Sequence, residues 1–249
     1  MPRACLSKTF ILFLWIYALT LCGEVSAVEF RTAEFAGKRV TVCLVDVHKD
    51  HIELFDRDDG GSPFKHFDSL NAWLVARGKR LVFAMNAGMY TEDFSPLGLF
   101  VSHSQQLVPL NISDGQGNFY LKPNGVFVLT EAGASVVETN KYGAIHGPVI
   151  LATQSGPLLV YKGKINPAFN PKSQSRLMRN GVGVGSPGVA VFAISEDPIN
   201  FYEFAILFRD VLHCPNALFL DGTVSSLYSS ALNRNDSRMD LGPIIAVTQ

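Results

Sequence analysis

Charge of either sign is scarce in this 249-residue chain, cysteine nearly vanishes after the first 27 residues, and the spacings of several common catalytic motifs are missing. Only 17% of residues are charged against 47% apolar, which excludes a disordered chain. The 21 basic and 22 acidic side chains nearly balance, so there is no basic stripe and no nucleic-acid partner is expected. No Gly-x-Ser-x-Gly elbow and no Gly-x-x-x-x-Gly-Lys-Ser/Thr phosphate loop occurs. The histidines, His48, His51, His66, His103, His146 and His213, lack His-Glu-x-x-His or any other zinc spacing. No cofactor is therefore expected. A bound calcium or other divalent cation stays open, because its oxygen ligands can come from scattered loops.

The one long apolar run is at the N-terminus. Arg3 and Lys8 precede Phe10 to Leu21, a stretch without charge, and Val25-Ser26-Ala27 supplies small residues where a signal peptidase reads. The run is short of the roughly 20 residues of a membrane span, so residues 1–27 are expected to be a cleaved signal peptide. A membrane contact would come only from an uncleaved anchor. The expectation is an exported protein, periplasmic or secreted, starting at Val28. Removing Arg3, Lys8 and Glu24 takes its formal charge from −1 to −2. Roughly 220 residues suffice for one substantial core. Two cysteines remain, Cys43 and Cys214; an exported pair permits a disulfide, and that is the expectation, with two separate buried thiols as the alternative.

No repeat or linker interrupts 28–249, which reads as one domain. Val40–Val47, Leu81–Ala84 and Ala217–Leu220 are β-rich runs, as is the alternating His51–Phe55. Turn residues punctuate a β-rich middle from Gly98 to Gly163. Gly181 to Ser195 reads as a hairpin about Ser186-Pro187-Gly188. Phe67, Leu70, Trp73 and Leu74 fall at helical spacing, with Asp68 or Ser69 as cap and Gly78 as stop. A helix is expected from Phe201 to Leu212, started by Asn200 with Glu203 in a capping box. Many strands with few helices predict an α+β domain on a mixed, mostly antiparallel sheet core.

Two strands run into glycine-bearing turns. Leu220-Asp221-Gly222-Thr223-Val224-Ser225-Ser226 delivers one carboxylate among hydroxyls able to bind sugar or phosphate oxygens. Asn86-Ala87-Gly88-Met89-Tyr90 follows another strand. Structure alone could explain both, through glycines at positive φ and an aspartate bonding the amides of its own turn. Arg179-Asn180-Gly181 adds a planar guanidinium suited to phosphate, although an arbitrary loop arginine is usually a surface group. Gln154-Ser155-Gly156-Pro157 and the segment from Asn118 through Lys122 to Asn124 carry the amides and aromatics of carbohydrate sites, and equally of turns.

In this order the four motifs resemble the phosphodiester glycosidase family, in detail its branch of short exported bacterial proteins. The likeness runs from about Val40 onward. Asn86, Gly88, Arg179, Asp221, Gly222, Ser225 and Ser226 match its pattern; Met89, Asn180, Gly181, Thr223 and Val224 depart from it. The resemblance implies hydrolysis of a sugar joined through its anomeric oxygen to phosphate, with Asp221, Arg179 and Asn86 catalytic. It implies a sugar-phosphate ligand, and the residues expected to touch it, from the motifs and the polar turns together, are Gly88, Tyr90, Lys122, Asn124, Gln154, Ser155, Asn180, Gly222, Ser225 and Ser226. Two other classes compete. A non-catalytic periplasmic glycan-binding protein would keep the cleft without turnover, and a structural module would show an exposed apolar patch.

Overall fold

The computed structural model describes residues 28–249; the expected signal peptide lies outside them. Three antiparallel sheets enclose one apolar core. The large sheet orders its strands as Glu29–Phe35, Lys38–Asp46, Val189–Ser195, Asn180–Ser186, Asn216–Phe219, Leu158–Tyr161 and Lys164–Ile165. The second runs Arg234–Asn235, Leu227–Ser229, Leu81–Asn86, Ile244–Thr248, His51–Phe55. The third runs Gln105–Val108, Phe100–Ser102, Val149–Ser155, Gly125–Thr130, Gly133–Glu138. The α+β single domain is as the sequence indicates, except that every strand pairing described is antiparallel, with no parallel member.

Alternation decides which residues meet in the centre. Val182 and Val184 face the central core, where Cys43, Phe83, Phe127 and Phe192 join them from all three sheets. Gly181 and Gly183 face the other way, toward the helix Phe201–Ile206 and the π turn Leu207–Val211 that continues it. A Cβ on Gly183 would stand 2.7 Å from the Phe208 ring and 2.8 Å from Cys214. Glycine there lets the helical segment lie directly on the sheet.

The capping box forms as expected: Asn200 Oδ1 accepts the Glu203 amide at 2.9 Å, and Glu203 accepts the Asn200 amide in return. The other helix, Phe67–Val75, begins differently. Its N-cap is His66, which makes no side-chain cap, and Asp68 instead accepts a bond from Asn235 at 2.7 Å. The hairpin pairs Asn180–Ser186 with Val189–Ser195 as expected.

The expected disulfide is absent. Cys43 and Cys214 are free, buried thiols on opposite faces of the large sheet. Cys43 lies in the central core, and Cys214 packs with Phe208 and Phe219 on the helix side. A bridge would have to pass through the sheet. Burial pushes both thiols up, that of Cys214 to about 12. Adding a reductant should leave the Tm unchanged, and never-reduced protein should take up two alkyl groups once unfolded. A fall in Tm, or no uptake, would show a bridge.

Candidate active site

The chain leaves the large sheet at Phe219 and enters the second at Leu227. Asp221 to Ser226 is the crossover between them, and each sheet sends one strand-end polar residue to hold it. From the second sheet, Asn86 donates Nδ2 to the Asp221 carbonyl at 3.0 Å and accepts the Ser226 amide on Oδ1 at 3.0 Å. From the large sheet, Asn180 accepts the Asp221 amide on Oδ1 at 3.1 Å. Its Nδ2 donates to Asn86 Oδ1 at 2.8 Å and to the Asn86 carbonyl at 3.2 Å. From the third, Ser155 Oγ donates to the Leu220 carbonyl at 2.6 Å. Asn86, Asn180 and Ser155 are fully buried. Bonds this enclosed fix the turn because leaving any of them unmade exposes a dry polar group.

Held so, the Asp221 side chain meets a cavity of about 300 Å³ whose walls include Met89, Tyr90, Leu97, Phe119, Tyr120 and Thr223. That is the low end of ligand-pocket volumes. Tyr90 stacks on Phe94 (centroids 5.4 Å, planes 16° apart) and donates its hydroxyl to the Asp240 carbonyl at 2.8 Å. Burial, then the nearby Asp221 and Asp240, push its phenol up. Asp221 accepts the Thr223 amide at 3.0 Å, so it does bond its own turn. Burial outweighs that bond and raises its carboxyl to about 6. No other carboxylate and no cation line the cavity among the described residues.

Arg179 stands apart. One step along from Asn180, alternation sends its side chain to the opposite face of the sheet. Its Nε donates to the Ile199 carbonyl at 2.8 Å and Nη2 to the Ser175 carbonyl at 3.1 Å. The guanidinium lies 3.7 Å over the Phe201 ring. It is 1% exposed and does not line the Asp221 cavity; among the described residues it pairs with no carboxylate and its Nη1 has no partner. Burial lowers it to about 10, so it stays charged at neutral pH.

Other residues expected at the site have partners within the fold. The Gln154 amide bonds the backbone of Leu99 and Asn111 and the Thr139 hydroxyl. Asn124 donates to the Phe119 carbonyl at 2.9 Å, and Lys122 pairs with Asp114 on the surface. Ser226 donates to the Val224 carbonyl. Neither Gly88 nor Gly222 takes the positive φ of the purely structural alternative. They are small because the neighbours are close: a Cβ on Gly222 would lie 2.9 Å from the Met178 carbonyl, and one on Gly88 3.3 Å from that of Gln154. Tyr120 and Asp240 escaped the sequence reading. Tyr120 stood inside a segment already noted; nothing in the sequence marked Asp240. No three His, Cys, Asp or Glu side chains among the described residues form a group able to hold a metal, and none of their helices is long and apolar enough to cross a membrane.

The family model for phosphodiester glycosidase matches residues 79–248. The chain belongs to that family. Among its relatives is the uncharacterized protein YigE of Escherichia coli K12, 35% identical over 189 residues, 76% of this chain and 74% of that one. In fold it is similar to the catalytic domain of zebrafish N-acetylglucosamine-1-phosphodiester alpha-N-acetylglucosaminidase, which is auto-inhibited by its pro-peptide. That match has TM-score 0.62 and 14% identity, covering 88% of this chain and 81% of that chain. A hypothetical protein from Synechocystis matches with TM-score 0.52 and 16% identity, over 88% and 61%. This phosphodiester glycosidase domain thus spans all three sheets, with the second and third lying largely within the matched residues.

Proposed function

We infer that the chain is an exported hydrolase that cleaves a sugar-1-phosphodiester, with the sugar in the Asp221 cavity. The observation that carries this is a single carboxylate between aromatic walls. Ordinary glycoside hydrolysis uses two carboxyl groups, one of them to protonate the leaving oxygen. A phosphate leaves without that help, so one carboxylate suffices. In the reaction the anomeric C–O bond breaks and the phosphate oxygen keeps the electron pair. Water's oxygen bonds to the anomeric carbon, and one proton is released. Ionised Asp221 would stabilise the positive charge that develops on the sugar. Tyr90 and Tyr120 offer faces for the sugar ring, and Asn86 and Asn180 act through the turn they hold. The leader-like segment before Val28 supports periplasmic or secreted placement.

The same cavity supports a second reading, a glycan-binding protein without turnover, favoured by Thr223 and Val224 where the family pattern has glycines. Incubation with a panel of sugar-1-phosphodiesters separates them. The expected products are a free sugar and a phosphomonoester. Binding in calorimetry without product from any diester would decide for the binding protein.

A further inference from the structure

The crossover turn borders a second recess. It measures about 70 Å³, opens beside Ser225, and is lined by Ser195, Glu196, Arg234, Asp236 and Arg238 among others. Arg234 is already engaged: Nε and Nη2 donate to Asp236 at 3.0 and 2.8 Å, and Nη1 to Glu196. Thr41 and the Leu227 amide complete the shells of Glu196 and Asp236, at 2.6 and 3.0 Å.

Two donors remain uncommitted and a third is weakly held. Arg238 is exposed and takes part in no ion pair among the described residues. Ser195 is 2% exposed; its oxygen accepts the Arg179 amide at 2.8 Å, and its own proton has no acceptor among the described residues. The Ser225 hydroxyl has only long contacts, 3.4 Å to Asn180 and 3.3 Å to the Asp221 carbonyl. That carbonyl ties the recess to the cavity turn.

We propose that this recess is an anion subsite for the singly charged phosphate of a diester. It rests on the hydrolase reading for the ligand class only. The Asp221 cavity has no cation to neutralise a phosphate, and the recess supplies one together with two hydroxyl donors. A guanidinium is suited to phosphate oxygens. The charge balance sets the selectivity. Arg234 is committed to both Glu196 and Asp236, and Arg238 brings the recess only to neutrality. A single negative charge can sit against the Arg238 guanidinium and the two hydroxyls, whereas a second falls toward Glu196 and Asp236 with nothing to offset it. A diester carries one charge. A phosphomonoester, with its second pKa near 6, carries close to two at pH 7.5. Cleavage converts the first into the second, so the subsite accepts substrate and repels product.

The test uses sn-glycero-3-phosphoglycerol, a diester with no anomeric carbon, and glycerol 3-phosphate, a monoester, in calorimetry at pH 7.5. The wild type should bind the diester and hold the monoester several-fold more weakly. Arg238→Gln should weaken diester binding about tenfold or more, as loss of one charge-assisted contact implies. Asp221→Asn should leave it within about twofold, well under the tenfold that 1.4 kcal/mol represents. The proposal is overturned if the wild type does not bind the diester, if Arg238→Gln binds it unchanged, or if the monoester binds equally well. It is overturned too if Asp221→Asn tightens diester binding about tenfold or more, the relief of like-charge repulsion that would put the phosphate beside that carboxylate in the other cavity. Because the probe cannot be hydrolysed at a sugar, the outcome stands whether or not the chain is a hydrolase.

Discussion

Asp221→Asn should abolish sugar-1-phosphodiester hydrolysis and, above pH 6, make the protein more resistant to heat. The carboxyl sits at about 6 in the folded chain against an ordinary 3.8, and burial is the cause. Below pH 4 both folded and unfolded chains carry it protonated, and it costs nothing. As the pH rises from 4 through 6 the unfolded chain ionises first, so folding becomes less favourable, and the penalty is complete above 6. A shift of this size corresponds to about 3 kcal/mol at most. Water entering the cavity brings that to about 1–2 kcal/mol, or about 2–6 °C in Tm for a domain of this size. Asparagine has the same shape, can still accept the Thr223 amide, and carries no charge to desolvate.

Activity should move the opposite way. With Asp221 acting ionised, kcat/KM of the wild type should rise tenfold per pH unit up to about 6 and level off above. The asparagine variant should lose about 100- to 10,000-fold. A variant that keeps its activity, or a rate that falls above pH 6, would remove Asp221 from the role given it. A variant melting below the wild type at pH 7.5 would show that burial of the charge is not a strain on the fold.

A larger loss of stability is expected from Asn180→Asp. The Asn180 amide nitrogen faces two acceptors, both on Asn86. An aspartate would turn an oxygen toward them in a fully buried position, and it would have to take up a proton to stay. Even protonated it replaces two donated bonds by one. The cost is about 2–4 kcal/mol, or roughly 5–15 °C in Tm, and less at pH 5, where the proton is easier to supply. Because the same side chain accepts the Asp221 amide, turnover should fall by about 100-fold in whatever folded protein remains. Scanning calorimetry at pH 5 and 8 checks it; an unchanged Tm at both would mean the amide network does not hold the turn.

Local chemistry was legible in the sequence wherever it acted on near neighbours. Asn200 and Glu203 announce their capping box because three residues separate them, and the Pro187-Gly188 hairpin carries its own turn. The carboxylate in a turn after a strand was likewise readable at Asp221. Which side of a sheet a residue serves was harder. Arg179 and Asn180 are adjacent and looked like one binding cluster, yet strand alternation puts one under Phe201 and the other against Asn86. Cys43 and Cys214 failed for the same reason. Gln154 and Asn124 carry the amides of a sugar site, but their partners are mostly backbone groups, distant in sequence as Leu99 is from Gln154 or in a neighbouring turn as Phe119 is to Asn124. No pattern in the sequence distinguishes an amide that waits for a ligand from one that closes a loop.

The position of Ile244–Thr248 has a consequence for how the molecule is made. It follows every other described strand along the chain, yet it lies in the middle of the second sheet, between His51–Phe55 and Leu81–Asn86. Until it arrives, two early strands have no partner between them, and their bare edges are the kind that pair with other chains. Contacts so distant along the sequence form slowly. Asn86 stands at the end of one of those waiting strands, so the Asp221 turn gains its anchor only after residues 244–248 have joined the sheet. A nascent chain stalled before Ile244 would hold every residue of the Asp221 turn and still lack the frame that gives it a shape.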